Sequence, residues 1–269
     1  MQCGSSVRAI IIACCLLGLR GCGTLPSGRA WGEDATLQPG WERVRAAATN
    51  AARDPWVWGP LLGAAAFQID NWDRRTSDWA REHTPIFGSQ ENAENWSDHL
   101  RTASSVANYA TILATPGGSD GGAWIANKAK GALVDAAAVS ATVLVTRTLK
   151  TGIDRERPNG LAGESFPSGH TSAAAVHTRL ASRNLEYMDL TRTTRRVLDT
   201  GLYALTIGTS WARIESGWHY PSDTLAAMAL GNFIASFVND AFLGLDFSAA
   251  PQQITLSKDG ATLYWYRRF

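Results

Sequence analysis

The chain has 269 residues, enough for one large domain with appendages and a well-buried core. Its 25 basic and 24 acidic residues nearly cancel, which argues against the electrostatic footprint of a nucleic-acid-binding protein. All four cysteines (Cys3, Cys14, Cys15 and Cys22) fall in the first 22 residues, so disulfides do not staple the remainder.

The N-terminus sets Arg8 before the apolar run AIIIACCLLGL and then small residues. Residues 1–21 therefore read as a secretory signal peptide rather than a membrane span. The stretch LRGC looks like a bacterial lipobox, in which Cys22 becomes the lipidated first residue of the mature chain. Arg20 stands where that pattern usually has a small or aliphatic side chain, and ordinary cleavage after Ala30 is the alternative. Loss of Arg8 and Arg20 takes the formal net charge from +1 to −1. Gly23 follows the cysteine where an Asp would suggest retention at the inner membrane, so the outer membrane of a bacterial cell envelope, with the body facing the periplasm, is the expected location. Residues 22–40, rich in Gly, Pro, Ser and Thr, read as a flexible tether.

From Trp41 the pattern becomes helical. GWERVRAAATNAAR breaks at Asp54-Pro55, and PWVWGPLLGAAAFQIDNW and DRRTSDWAREH follow. PIFGSQENAEN reads as a loop, with helical spacing resuming near Trp96 and running to Leu113. TPGGSDGG is the strongest internal interruption, and further helices are expected at 123–149, 169–187, 191–213 and 223–243. Residues 41–249 thus form an all-α helical domain. The tail, 250–269, alternates apolar and polar residues about Lys258-Asp259-Gly260, the mark of a short β-hairpin. The uncharged runs 55–69, 136–146, 200–212 and 224–239 each fall short of the ~20 residues a span needs, so a soluble-like bundle is expected.

Three segments carry chemistry: KTGIDRERP with Lys150 and Arg157, FPSGHTS with Ser168, Gly169 and His170, and ARIESGWHYPSD with Arg213, His219 and Asp223. Singly, each has a plain explanation as a solvated charge, a helix cap or a turn residue. Together they place three cations, two histidines and a carboxylate at helix ends within one half of the chain. A phosphoryl group in transfer spreads charge over its oxygens and needs several fixed cations. Arg offers a planar fork and Lys a point charge. Gly169 lets backbone approach, and a helix N-terminus favours an anion. Asp223, in the first turn of its helix, is spaced to reach back four residues to His219, where a carboxylate on one ring nitrogen makes the other more nucleophilic. His83 and His99 lack ligand spacing, so no metal site is expected.

At these residues the chain resembles the type 2 phosphatidic acid phosphatase (PAP2) and vanadium haloperoxidase superfamily. The pattern is Lys150 to Arg157-Pro158, then Pro167-Ser168-Gly169-His170, then Arg213 to His219 to Asp223; the one departure is Ala212 in place of Ser. The resemblance covers roughly 130–245 and leaves 41–125 unplaced by motif. It implies a helical bundle and a phosphatase without metal or other cofactor. His219 would attack phosphorus, Asp223 orient it, and His170 serve as acid and then base. Lys150, Arg157, Ser168, Gly169 and Arg213 would bind the phosphate, and vanadate would inhibit. The implied substrate is a phosphorylated lipid or a small phosphate monoester, met by a body held to the membrane through its N-terminal lipid. A vanadate-dependent haloperoxidase and a non-catalytic envelope lipoprotein on the same scaffold are the alternatives. The sequence leaves the oligomeric state open.

Overall fold

The computed structural model describes residues 21, 23–25, 28–244, 252–257 and 260–265. Residues 1–20 of the expected signal peptide and the lipidation candidate Cys22 lie outside the described residues. Eight α-helices are present among the described residues: α1 (Trp41–Arg53), α2 (Pro55–Ala66), α3 (Trp72–His83), α4 (Gln90–Ala114), α5 (Gly121–Ile153), α6 (Gly169–Leu185), α7 (Arg192–Glu215) and α8 (Pro221–Val238). A π-helical turn, Asn239–Leu243, extends α8. The fold is the expected all-α bundle. The tail adds the hairpin, β1 (Gln252–Ser257) antiparallel to β2 (Gly260–Trp265), with Ser257 opposite Gly260.

The helix boundaries follow local chemistry. Asp54 caps α2 through Trp56 N at 3.0 Å, and Pro55 takes the first position, where a missing N–H costs nothing. The α4 helix begins six residues before Trp96, because Ser89 accepts from Asn92 N at 3.1 Å. The polar run QENAEN, expected to be loop, is the solvent-facing first turns of that helix.

The central helix is α6, packed against α4, α5, α7 and α8 and buried around most of its circumference. Small residues allow this. A Cβ added at Gly231 of α8 would stand 2.6 Å from the Ser172 carbonyl oxygen and 2.8 Å from Ala175 Cβ, so α6 and α8 cross closely only because this position is glycine. The core gathers Ile112, Val134, Ala138, Val176, Leu180, Ile234 and Val238. Along α5 the buried positions Gly131, Val134, Asp135, Ala138, Thr142 and Thr146 recur at helical spacing. Leu133 and Leu144 of the same helix are exposed.

Two helices are long and apolar enough to cross a membrane, α5 and α8 with its π-helical extension. The sequence runs fell short of that length because Asp135 interrupts α5, whereas the helix continues unbroken through it. Most of the apolar window of α8 is buried inside the bundle, and most of that of α5 is not.

One expectation is overturned. Residues 30–36, within the stretch taken as a flexible tether, are packed onto the bundle. Trp31 has no exposed surface and belongs to the main core. Its backbone N–H donates to the Pro116 carbonyl at 2.8 Å and its indole N–H to Asn184 Oδ1 at 3.1 Å. A Cβ at Gly131 would sit 2.2 Å from the indole ring, so α5 carries a glycine where the ring lies against it. Further back, Gly23 pairs with Gly118 as an isolated antiparallel bridge, and Trp124 Nε1 donates to the Gly21 carbonyl at 2.8 Å. A Gly/Pro/Ser-rich composition reads as flexible, but one large aromatic with a pocket to fill outweighs it. We expect Trp31→Ala to lower unfolding free energy by about 3–5 kcal/mol, the usual cost of emptying an aromatic site. Urea denaturation checks this; an unchanged midpoint would restore the tether.

Candidate active site

The catalytic candidates gather at one end of the bundle, where α5 and α7 finish and α6 and α8 begin. There a pocket of about 410 Å³ is lined by Lys150, Arg157, Gly169, His170, Arg213 and His219, with Glu94, Asp98 and Arg101 from α4 on the far wall. Six of the eight predicted active-site residues therefore face one space. Ser168 and Asp223 lie behind it, fully buried. Ser168 caps α6: its hydroxyl accepts from Thr171 N at 3.4 Å, while its own N–H donates to the Asp223 carbonyl at 3.2 Å.

The cations are held from behind. Lys150, in the last turn of α5, donates to the Glu164 carbonyl. Arg157 Nε donates to the Gly163 carbonyl at 3.1 Å and its guanidinium lies over Trp218 at 4.6 Å. Arg213 faces the same indole from 5.0 Å, so Trp218 keeps two like charges in fixed planes. Arg213 is 5% exposed, gives Nη1 to Ser97 Oγ at 3.3 Å, and leaves Nε–H buried without a partner. Burial pushes its pKa down to about 10. Burial and the neighbouring Arg157 likewise lower that of Lys150. Glu94 and Asp98 offset part of the Arg213 charge, and Glu164 and Asp223 part of that of Lys150.

The two histidines differ. His170, second residue of α6, bonds Asp98 Oδ1 through Nε2 at 2.9 Å. Burial and then Arg213 lower its pKa, against the pull of Asp98. His219 is 3% exposed, not at the surface, and burial takes its pKa down to about 4. Its Nδ1 lies 2.5 Å from the Ser165 carbonyl. A carbonyl only accepts, so Nδ1 carries the proton and Nε2 keeps the lone pair.

Asp223 was expected to make that bond itself. It stands 3.9 Å from Nδ1, and its oxygens are taken by Arg155 Nη1 at 2.6 Å, Ser165 Oγ at 2.6 Å and Tyr220 N at 2.9 Å. It acts on His219 as a nearby charge at 3.9 Å and also through Ser165, whose hydroxyl it holds while the Ser165 carbonyl holds the ring. Burial works against its charge, but His219, Arg155 and Ser165 keep its pKa below the ordinary carboxylate value. Tyr220 stands at the cap of α8, with Pro221 first and Ser222 second in the helix. The Ser222 N–H donates to Asp73 Oδ1 at 2.8 Å.

Sequence reasoning missed Arg155, Asp73, Asp98 and Ser165. Arg155 bridges Asp223 and Asp73, with Nη2 2.8 Å from Asp73 Oδ2, and stacks on Tyr220 at 4.1 Å. It sat in view in KTGIDRERP, whereas Asp73 and Asp98 come from helices that carry no motif. Among the described residues, no three His, Cys, Asp or Glu side chains group closely enough to hold a metal ion.

An all-helical bundle with a pocket lined by charged residues and two histidines where its helix ends meet is the class that fold and site define. Residues 131–243 match the family model of the PAP2 superfamily, over the same stretch that carries the three motifs. The chain shares its fold with a solved structure, the first transmembrane PAP2 type phosphatidylglycerolphosphate phosphatase from Bacillus subtilis. The likeness has a TM-score of 0.52 at 16% identity over 79% of this chain and 100% of that one. None of the curated proteins compared with the chain matches it.

Protonation of His219 provides a direct check. An unfolded histidine takes its proton near pH 6.5 and the buried one only near 4, so the unfolded state binds more protons in that window and stability falls as pH drops through it. NMR titration of the imidazole is expected to give a midpoint near 4. A midpoint near 6.5 would mean that the ring is not buried as described.

Proposed function

We propose that the protein is a phosphatase that hydrolyses phosphate monoesters or lipid (pyro)phosphates through a phosphohistidine, without a metal ion. One observation carries this reading: the buried Arg213 Nε–H without a partner, on the wall of a pocket that also holds Lys150, Arg157 and a neutral His219. The PAP2 segment supports a phosphatase-type activity, and the fold shared with a phosphatidylglycerolphosphate phosphatase supports a phosphorylated lipid among the substrates.

In the proposed reaction the phosphoryl oxygens lie among Lys150, Arg157, Arg213 and the first N–H groups of α6. His219 Nε2 attacks phosphorus, the P–O ester bond breaks, and His170 gives its proton to the departing oxygen. Water then attacks the phosphohistidine, the P–N bond breaks, and His170 takes the proton from water. The free site disfavours protonated His170. A bound phosphate dianion adds charge of the opposite sign to Arg213, so the acid form accompanies the substrate. Turnover of p-nitrophenyl phosphate or phosphatidic acid is expected to survive EDTA, to be blocked by vanadate, and to be abolished in His219→Ala. Loss on chelation with rescue by a divalent ion would contradict the reading, as would a His219→Ala variant that retains most of its activity.

For location, we propose a lipid anchor at Cys22 in the bacterial envelope, the outer membrane in particular. Gly23, the residue after the anchor, is bonded to Gly118 just before α5, and Lys150 closes the other end of that helix. A helix rises 1.5 Å per residue, so the anchor and the site are separated by about 45 Å. Cell fractionation of Cys22→Ser tests the anchor: release from the membrane fraction is expected, and continued pelleting would place the attachment elsewhere.

A further inference from the structure

A second cavity, about 320 Å³, adjoins the first across Arg157, which lines both. Its other walls include Arg74 from the first turn of α3, and Arg155, Glu156 and Tyr220. On its walls three guanidinium groups, Arg74, Arg155 and Arg157, face two carboxylates, Asp73 and Glu156. Arg155 is matched by Asp73 and Asp223. Among the described residues Arg74 makes no hydrogen bond or ion pair, and Arg157 uses only its Nε side, leaving both Nη groups unbonded. Asp223, bonded to Arg155 from behind the wall, brings the charges into balance, so what the cavity offers an oxyanion is unused donors, the Arg74 guanidinium and the two Arg157 Nη groups.

The placement of Arg74 is structural. Asp70 and Asn71 both take left-handed backbone conformations, φ 48° and 55°, turning the chain sharply between α2 and α3. Asp73, next in sequence to Arg74, is locked by Arg155 and by Ser222 N. The first turn of α3 is thereby pinned against the 155–160 loop, which holds the Arg74 backbone beside the cavity.

We propose that this cavity binds a second anionic group of the substrate, a phosphate or similar oxyanion on the same molecule as the reacting phosphoryl group. Arg74 is the specificity-determining residue, and Arg157 is shared between the two anions. The inference rests on the phosphatase reading of the neighbouring pocket. It narrows the substrate class to phosphate esters carrying two separated negative groups.

Equilibrium binding separates the two claims. Isothermal titration calorimetry with the full chain would compare an alkylphosphonate with α,ω-alkane bisphosphonates of increasing length, methylenebisphosphonate included. At least one bisphosphonate is expected to bind about five- to tenfold more tightly than the monophosphonate, the lower range for an Arg–oxyanion contact because Arg74 is exposed. Arg74→Gln should remove that gain and leave monophosphonate affinity unchanged. The length that gains most distinguishes a diphosphate-like spacing from phosphates on separate carbons. Equal affinity for all the compounds would overturn the proposal, and so would an Arg74→Gln variant that weakens both classes alike or neither. If both classes bind as expected but the matching phosphate esters are not hydrolysed, the second anion site stands and the phosphatase reading falls.

Discussion

The Asp223 carboxylate has no exposed surface, and an isolated charge buried in that way would cost several kcal/mol. Arg155, Ser165 and the Tyr220 N–H together satisfy it, and each of these partners also performs a second task. Arg155 reaches on to Asp73 and so ties α3 to α8. Ser165 turns its carbonyl to His219 and fixes which ring nitrogen is protonated. Tyr220 begins α8 and stacks under Arg155. The need to pair one buried charge thus fixes α3, the 154–168 loop and α8 relative to one another, and that arrangement positions the imidazole.

Around this frame the site is left short of negative charge. Lys150, Arg157 and Arg213 converge with their protein partners behind them; burial first, and then Arg157 for Lys150 and Arg213 for His170, lowers the proton affinity of both. His219 is kept neutral by burial. In the proposed reaction a phosphate dianion joins a neutral His219 and these cations, and its charge raises the proton affinity of His170 in the same step. Preorganised charge of this kind costs no reorganisation when the phosphoryl group moves.

What the sequence made legible were residues whose type and local spacing carry the signal. Lys150, Arg157, Gly169, His170, Arg213 and His219 sit at helix ends within short motifs, and the structure brings them to one pocket. Asp73 and Asp98 are not legible, because they are ordinary surface-type carboxylates on amphipathic helices until α5–α8 are folded against them. Asp98 meets His170 across 72 residues of sequence, and no local pattern encodes such a contact. Arg155 looked like one more solvated charge in a charged loop; its worth lies in two buried carboxylates from distant segments. The N-terminal strap misled for another reason. Its composition describes the average residue, whereas its structure is decided by Trp31, for which Gly131 leaves room on α5. The directness of the Asp223–His219 contact was read from helical spacing alone, and a neighbouring carbonyl took the nitrogen first.

The claim on which the account turns is that His219, held neutral and oriented by Ser165, takes the phosphoryl group. Rapid mixing with a phosphate ester, a quench in base and peptide mass spectrometry tests it most directly. The account predicts a transient phosphoryl adduct on the peptide carrying His219, absent in His219→Ala. An adduct on another residue, or turnover with no adduct under conditions where phosphohistidine survives, would contradict it.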